Sequence, residues 1–247
     1  MTPRTAPRPE PAPQSKPEAE FRQRWWCFGI ICAVSYSFLA VDHVPAGGRL
    51  ADVLMAWTHW PESFALHVVF GAAAALMFLA ALVRTWGSAY LGRTVVHDAA
   101  LHGEQLRADG PYRHVRNPLY FGNVLMSVAM GLVAPVIGCA VMIAAMIVFS
   151  YRLIGREEPV LEAEQGERYH AFVRAVPRLW PSISARIPVS GAAPDWINGL
   201  SAEAFFWSFA LGLLGFAITL NILWFYAGLV ASPALSWLAG LVLKPKA

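Results

Sequence analysis

Charged residues are scarce in this chain of 247 residues: Asp, Glu, Lys and Arg make up 14% of it, whereas soluble domains average about 25%. A soluble surface of this size requires more charge than that. Hydrophobic residues account for 57% of the chain, which excludes a wholly disordered protein. The composition therefore predicts an integral membrane protein.

Cysteines and the common catalytic motifs are also lacking. The three cysteines, Cys27, Cys32 and Cys139, lie in apolar runs and have neither metal-ligand spacing nor the pattern of a disulfide framework. The sequence contains no phosphate-binding loop, no zinc spacing and no nucleophile elbow. The net charge of +3 is too small to indicate a nucleic-acid partner. We therefore predict neither a metal nor a nucleic acid as ligand.

Long apolar runs are abundant and define the predicted fold class, an all-α polytopic transmembrane bundle. A bilayer core requires about 20 apolar residues per helix. The stretch 119–151 is too long for one span and is interrupted by Gly131, Pro135 and Gly138, so it predicts a helical hairpin that turns near 134–138. We predict about five spans, with six as the alternative, because the short apolar tail 234–243 is either re-entrant or half of a second hairpin. The predicted spans are 25–41, 64–83, the two arms of 119–151, and 204–230.

The chain is expected to divide into four regions. Residues 1–24 form a polar tail that is predicted to be disordered, and 25–83 hold two N-terminal transmembrane helices. Residues 84–181 form a core around the hairpin, and 182–247 form a linker and a C-terminal transmembrane region.

Basic residues indicate the orientation of these regions. Only Arg49 lies in the loop 42–63, whereas five lie in the tail, five in 84–117 and six in 152–203. Positive charge accumulates in cytoplasmic loops. We therefore expect the N-terminus and both polar segments on the cytoplasmic side, where the hairpin brings the ends of the two segments together.

The residues that flank the hairpin could carry chemistry. Asn117 precedes Pro118, which disfavours helical backbone at Asn117 and predicts a turn at the start of a membrane helix. Tyr112 and Tyr120 bring aromatic rings with polar tips to the membrane interface. We expect Glu157 just beyond the end of the returning helix. A cationic ligand with an adenine-like part would find a carboxylate, aromatic rings and free backbone groups there.

The second polar segment predicts one amphipathic helix. Pro159 is expected in its first turn, where proline is tolerated. Glu157 and Glu158 would then lie at its N-terminus, where carboxylates favour the helix dipole. The apolar residues that follow at helical spacing are Leu161, Tyr169, Phe172, Val173 and Val176.

The paired motifs GPYRHVRNPLYFG (110–122) and REEPVLEAEQGERYHAFVRAVPRLWP (156–181) resemble the isoprenylcysteine carboxyl methyltransferase family, which is related to phospholipid N-methyltransferases. The resemblance covers about 97–181. It departs from the family pattern at Asn117, where the family has His, at Gln165, where it has Phe, and at Phe172, where it has Tyr. An asparagine can donate and accept hydrogen bonds but does not titrate near neutral pH.

The resemblance implies an S-adenosylmethionine-dependent membrane methyltransferase that acts on a lipophilic or amphiphilic acceptor. It also implies a cytoplasmic cofactor pocket built from the two polar segments. Arg152 and Arg156, at the end of the returning helix, would orient the substrate, with Arg152 preferred. The residues that would contact the cofactor are His97, Glu104, Gln105, Leu106, Arg107, Tyr112, Asn117, Pro118, Leu119, Tyr120 and Glu157.

Three other functions stay open at this stage. The first is phospholipid N-methylation on the same scaffold, and the second is a membrane reductase of the sterol-reductase type that uses NADPH. The third is a non-enzymatic membrane scaffold. The acceptor atom, whether oxygen, sulfur or nitrogen, is not determined by the sequence.

Overall fold

A computed structural model of the protein describes residues 24–91 and 108–242. These residues form helices and no β-strand, which confirms the all-α fold class. The predicted tail, apart from Arg24, lies outside the described residues. In chain order the helices are α1 (Arg24–Ser37), α2 (Ala46–Thr58), α3 (Glu62–Leu91), α4 (Pro118–Gly131), α5 (Val136–Gln165), α6 (Glu167–Ala175), α7 (Trp196–Ala202), α8 (Ala204–Thr219) and α9 (Leu223–Val242), with short 3-10 helices at Phe38–Ala40 and Gly110–Arg113.

Two helices, α3 and α5, are long and apolar enough to cross a membrane, and each has 30 residues. The pair α7 and α8 also qualifies if it is taken as one span bent by 66°. The apolar segments Trp26–Ala40 and Leu223–Ser232 are shorter. The helical membrane bundle is thus confirmed, with two or three candidate spans among the described residues instead of the five or six predicted.

Helix α3 is the centre of the bundle and packs against α2, α4, α7 and α8. Its buried face is rich in alanine, and small residues allow the backbones of membrane helices to approach closely. Larger side chains from α4 and α8 fill the space around it. The buried core includes Ala73, Ala74, Met77, Ala80 and Ala81 of α3, Met126 and Met130 of α4, and Phe206, Phe209 and Leu213 of α8.

The hairpin of α4 and α5 turns at residues 132–135, beside the predicted position. The first N–H groups of α2 cap this turn: Ala46 donates to the Ala134 carbonyl over 2.7 Å and Gly47 to the Leu132 carbonyl over 2.8 Å. Since α2 lies within a segment that was predicted only as a loop, this capping role was not foreseen.

Helix α5 corrects the prediction for the second polar segment. It passes through Pro159 and ends at Gln165, where Gly166 adopts a φ of 53°. Glu157 and Glu158 therefore lie inside a long helix and not at the N-terminus of a new one. Proline removes one N–H from the helix ladder and crowds the carbonyl four residues before it, yet the helix continues through Pro159. The amphipathic helix is the shorter α6, which buries Tyr169 and Phe172 as predicted.

The C-terminal region differs from the single span predicted at 204–230. The chain breaks at Leu220, which adopts a left-handed φ of 53°, and α8 and α9 form a helical hairpin. A β-carbon at Gly212 would lie 2.8 Å from the Gly228 Cα, so glycine is required for this close packing. The turn of this hairpin lies inside the predicted span, and residues 234–242 continue the arm that starts at Leu223. The predicted division into four regions stays a prediction.

Candidate functional site

The two polar segments pair with each other beside the α4–α5 hairpin, as the sequence predicted. The Arg116 N–H donates to the Pro177 carbonyl over 2.9 Å, and the Ser182 N–H donates to the His114 carbonyl over 2.9 Å. The Asn117 side-chain amide donates to the Arg178 carbonyl, also over 2.9 Å. Main-chain bonds therefore hold the segment before α4 against the segment after α6.

A second tie joins these segments at Asp109. Its carboxylate accepts hydrogen bonds from the Ser190 N–H (2.8 Å), the Ser190 hydroxyl (2.6 Å) and the Ala192 N–H (2.7 Å). The hydrogen bonds from Ser190 and Ala192 lower the pKa of Asp109 because they favour the ionised carboxylate. The carboxylate thus anchors the chain that leads into α7.

The Asn117-Pro118 turn begins α4 as its sequence indicates. Asn117 has non-helical backbone angles (φ −126°, ψ 64°), and Pro118 occupies the first helical position. The Asn117 carbonyl then accepts the Phe121 N–H over 3.1 Å. The turn places Leu119 and Tyr120 on the first turn of α4, next to the polar end of α5.

Tyr120 and Glu157, two of the predicted cofactor contacts, are brought together across the hairpin. The Tyr120 hydroxyl donates a hydrogen bond to the Glu157 carboxylate, and both side chains are half-buried. This bond links the first turn of α4 to α5 at a point just over two turns before the end of that helix. The arrangement presents a partly desolvated carboxylate whose position is held by a phenol.

The neighbouring Glu158 has different partners. Its two carboxylate oxygens pair with Arg116 Nη1 and Arg178 Nη2, each over 2.7 Å. The Glu158 and Arg116 side chains are 16% and 11% exposed, and Arg178 is 39% exposed. Because Arg116 and Arg178 lie on the two paired polar segments, Glu158 joins both segments to α5.

A cavity of about 330 Å³ opens beside this cluster. Burial, and then the negative charge of Glu158, raise the pKa of Tyr169 to about 12, against the opposing effect of Arg116. The phenol of Tyr169 is therefore neutral at physiological pH. The cavity is lined by Arg116, Glu158, Glu162, Tyr169, His170, Val173 and Arg178.

The structure also contains a buried ion pair that the sequence analysis missed. Arg84 Nε and Nη2 donate to the two oxygens of Glu203 over 2.6 and 3.1 Å, and the Ser88 hydroxyl donates to Glu203 over 2.5 Å. Arg84 also stacks 4.0 Å from the centroid of the Phe206 ring. Ionisable residues next to apolar runs could have indicated this pair, since they are costly there unless partnered.

The remaining predicted residues have the following positions. Tyr112 is buried against α6, together with Tyr169 and Phe172. On α5, Arg152 is exposed and Arg156 is half-buried, near Glu157. Five predicted cofactor contacts lie outside the described residues, namely His97, Glu104, Gln105, Leu106 and Arg107.

This arrangement can bind a cation and can position a proton acceptor. Glu157 supplies negative charge next to Tyr120. The His114 Nδ1 lies 2.9 Å from the Ser182 carbonyl, which can only accept, so Nδ1 carries the proton and Nε2 can act as a base. Within residues 24–91 and 108–242, no group of His, Cys, Asp and Glu side chains is placed to hold a metal ion.

Residues 68–168 match the family model described as phospholipid methyltransferase (PEMT). The match runs from α3 through the hairpin into α6, and it includes Tyr112, the turn 117–120 and Glu157. No curated protein and no solved structure matches the chain. Residues 68–168 are therefore similar to phospholipid methyltransferases, the family that includes isoprenylcysteine carboxyl methyltransferase-like membrane enzymes, which confirms the resemblance seen in the motifs.

Proposed function

We propose that the protein is an S-adenosylmethionine-dependent methyltransferase of the membrane, which transfers the methyl group to a lipophilic or amphiphilic acceptor. One observation carries this proposal: the residues of the phospholipid methyltransferase match include the turn 117–120 and Glu157, and these meet at one end of the hairpin. The family implies a membrane methyltransferase, and the geometry supports a site for a positively charged cofactor at this end.

The residues of the site suit S-adenosylmethionine in charge. The cofactor has a sulfonium and an ammonium group, and the half-buried Glu157 carboxylate would offset one of these charges. Tyr120 holds that carboxylate in place through its hydrogen bond. The buried Tyr112 packs the segment before α4 against α6. The segment 92–107, which carries His97 and 104–107, is proposed to complete the pocket.

The cofactor supplies an activated methyl group, so the protein has mainly to position the acceptor and exclude water. Arg152 and Arg156 would orient a carboxylate acceptor, which is already ionised at neutral pH. A thiol or ammonium acceptor would have to lose a proton, and His114 Nε2 or His97 could accept it. The paired segments 113–117 and 177–187 support this role by holding His114 in a fixed orientation.

The description of the matching family favours phospholipid N-methylation as the second candidate. A prenylated carboxylate remains the acceptor that the paired motifs suggest. Both acceptors would take part in the same class of reaction, methyl transfer to a group that approaches from the bilayer. The family match supports a transferase over an NADPH-dependent reductase, and the proposed cytoplasmic orientation rests on the distribution of basic residues.

Cofactor binding tests the proposal directly. Calorimetric titration of the purified protein in lipid nanodiscs is expected to show binding of S-adenosylmethionine and none of NADPH. Glu157→Gln and Tyr120→Phe should each raise the Kd at least about tenfold, the effect of losing one charge-assisted hydrogen bond. Glu164→Gln, which makes the same change at an exposed position of the same helix, is the matched control and should leave the Kd unchanged.

Several outcomes would contradict the proposal. A wild-type protein that binds no S-adenosylmethionine is not a methyltransferase of this type, and one that binds NADPH alone is a reductase. Equal affinities of the Glu157→Gln and Glu164→Gln variants would remove Glu157 from the pocket. Transfer of labelled methyl from S-adenosylmethionine to phosphatidylethanolamine or to a prenylated cysteine then distinguishes the two acceptor classes.

A further inference from the structure

The buried guanidinium of Arg84 has a second set of contacts besides Glu203. Its Nη1 donates to the Leu119 main-chain carbonyl over 2.9 Å and to Asn123 Oδ1 over 2.8 Å. Leu119 belongs to the turn that contains Tyr120, and Asn123 lies on the next turn of α4. One side chain of α3 therefore holds the N-terminal end of α4 in place.

The packing around these contacts allows little adjustment. A β-carbon at Gly87 would lie 3.0 Å from Leu119 Cδ2, a separation at which the leucine would have to move. Arg84 is 7% exposed and Glu203 is 1% exposed. The Arg84 guanidinium donates four hydrogen bonds. Because so many donors of a buried group are paired, its orientation is fixed.

Glu203 comes from a part of the chain that the family match does not reach. It lies at the 66° bend between α7 and α8, where its carboxylate also accepts the Ser88 hydroxyl. The two Glu203 oxygens meet Nε and Nη2 of Arg84, which is the bidentate geometry that fixes the guanidinium plane. That plane directs Nη1 toward the Leu119 carbonyl.

We propose that Arg84 and Glu203 are positioning residues for the methyl-transfer site. Glu203 fixes the guanidinium of Arg84, and the guanidinium fixes the Leu119 carbonyl and with it the turn 117–120 that presents Tyr120 to Glu157. The C-terminal helices α7–α9 are then a functional part of the site and not an added membrane anchor. This inference rests on the proposed function for its effect on cofactor affinity.

The test uses variants that keep the protein folded. Loss of one partner alone leaves a buried charge uncompensated, whereas replacing both partners together is often tolerated. The double variant Arg84→Met/Glu203→Gln therefore removes the donor to Leu119 without leaving a buried charge. Arg84→Lys keeps the charge but lacks the planar fork.

His67 provides a matched control. Its Nδ1 lies 2.7 Å from the Ala217 carbonyl, so it also ties α3 to α8, but 17 residues before Arg84 and thus about 25 Å away along the helix. His67→Leu weakens the contact between the same two helices at their other end. A purely structural effect of helix pairing would appear in this variant as well.

Hydrogen exchange measured by mass spectrometry on nanodiscs reports the order of the turn without any cofactor. We expect amide exchange in 117–123 to accelerate about tenfold in the double variant and in Arg84→Lys, and to stay at the wild-type rate in His67→Leu. The Kd for S-adenosylmethionine should rise about tenfold in the first two variants only, the fold-change expected for one hydrogen bond to a charged group.

Unchanged exchange in 117–123 in the double variant would overturn the positioning role. Equal acceleration in His67→Leu would overturn it too, because the effect would then belong to general helix packing. Absence of S-adenosylmethionine binding in the wild type would refute the proposed function alone, and the exchange rates would still decide whether the pair positions the turn.

Discussion

Replacing Glu158 by glutamine separates the roles of two adjacent glutamates. The substitution keeps the shape of the side chain but removes the charge that pairs with Arg116 and Arg178. The Arg116 pair is largely buried, and such a pair is costly to break from one side, about 3–5 kcal/mol when fully buried. The Arg178 pair is more exposed and resembles surface pairs worth at most about 1 kcal/mol.

These values predict a graded series. Glutamine still accepts one hydrogen bond, so we expect Glu158→Gln to lower the free energy of unfolding by about 3 kcal/mol, near the lower limit for a buried pair. Arg116→Gln should cost about 2 kcal/mol, as for a lost hydrogen bond to a charged group, and Arg178→Gln less than about 1 kcal/mol. Glu157→Gln should mainly weaken cofactor binding.

The assay is reversible denaturation in mixed micelles, followed by tryptophan fluorescence. Trp180 follows the Arg178 segment and packs 6.1 Å from the Phe121 ring, so its signal should report loss of the paired segments. Glu164→Gln is the control for the loss of an exposed charge on the same helix. A Glu158→Gln variant as stable as this control, or a larger cost for Arg178→Gln than for Arg116→Gln, would refute the reasoning.

Three further predictions concern other parts of the molecule. The pKa of the Tyr169 phenol should be near 12 instead of the usual 10. The stability that the neutral phenol contributes should therefore be full below pH 10 and lost as the pH rises toward 12. The difference in absorbance at 295 nm between wild type and Tyr169→Phe, followed against pH, measures this pKa. Because the pKa of Asp109 is lowered, the stability that its carboxylate contributes should be full above pH 3.8 and lost as the pH falls below it. Asp109→Asn should increase proteolysis near Ser190, since the carboxylate anchors that segment. Gly199→Ala should lower the free energy of unfolding by about 1–3 kcal/mol, since a β-carbon there would lie 2.6 Å from a carbonyl of α3. Gly71→Ala, which has open space around it, is the control and should leave the protein equally or more stable in thermal unfolding.

The buried arginine–glutamate pair changes the view of the C-terminal region. The family match ends at residue 168, yet α7 and α8 pack on α3 and supply Glu203 to it. A truncation after α6 would remove from Arg84 both the Glu203 carboxylate and the Phe206 ring that covers it. The segment beyond the family match is therefore part of the structural unit that holds the candidate site.

Local sequence signals predicted the elements whose limits depend on local chemistry. The apolar run 64–83 lies within α3, and Gly131 and Pro135 bracket the turn of the hairpin. The break at Leu220 could not be predicted, because leucine rarely adopts a left-handed conformation and only packing against α9 requires it there. Helix α2 was missed because its polar flanks resemble those of a loop and its N-terminal partners lie on the distant hairpin turn.

The candidate site shows the same division. Tyr120 and Glu157 were predicted as neighbours, because a hairpin with arms of known length brings its two ends together. The different partners of Glu157 and Glu158 were not predictable, since adjacent residues on a helix point about 100° apart and each meets whichever segment packs on its side. Arg84 and Glu203 are 119 residues apart, and nothing local connects them.

The amino-acid sequence alone is enough to predict the membrane environment, the helical hairpin and the chemistry of the residues that flank it. These features follow from composition, hydrophobic run length and turn residues, which act over a few helical turns. The folded molecule is needed to see which glutamate pairs with arginines, which one meets Tyr120, and that Glu203 holds the arginine beside the turn. Such choices depend on contacts between distant segments, and the burial that makes those contacts strong exists only once the helices have packed.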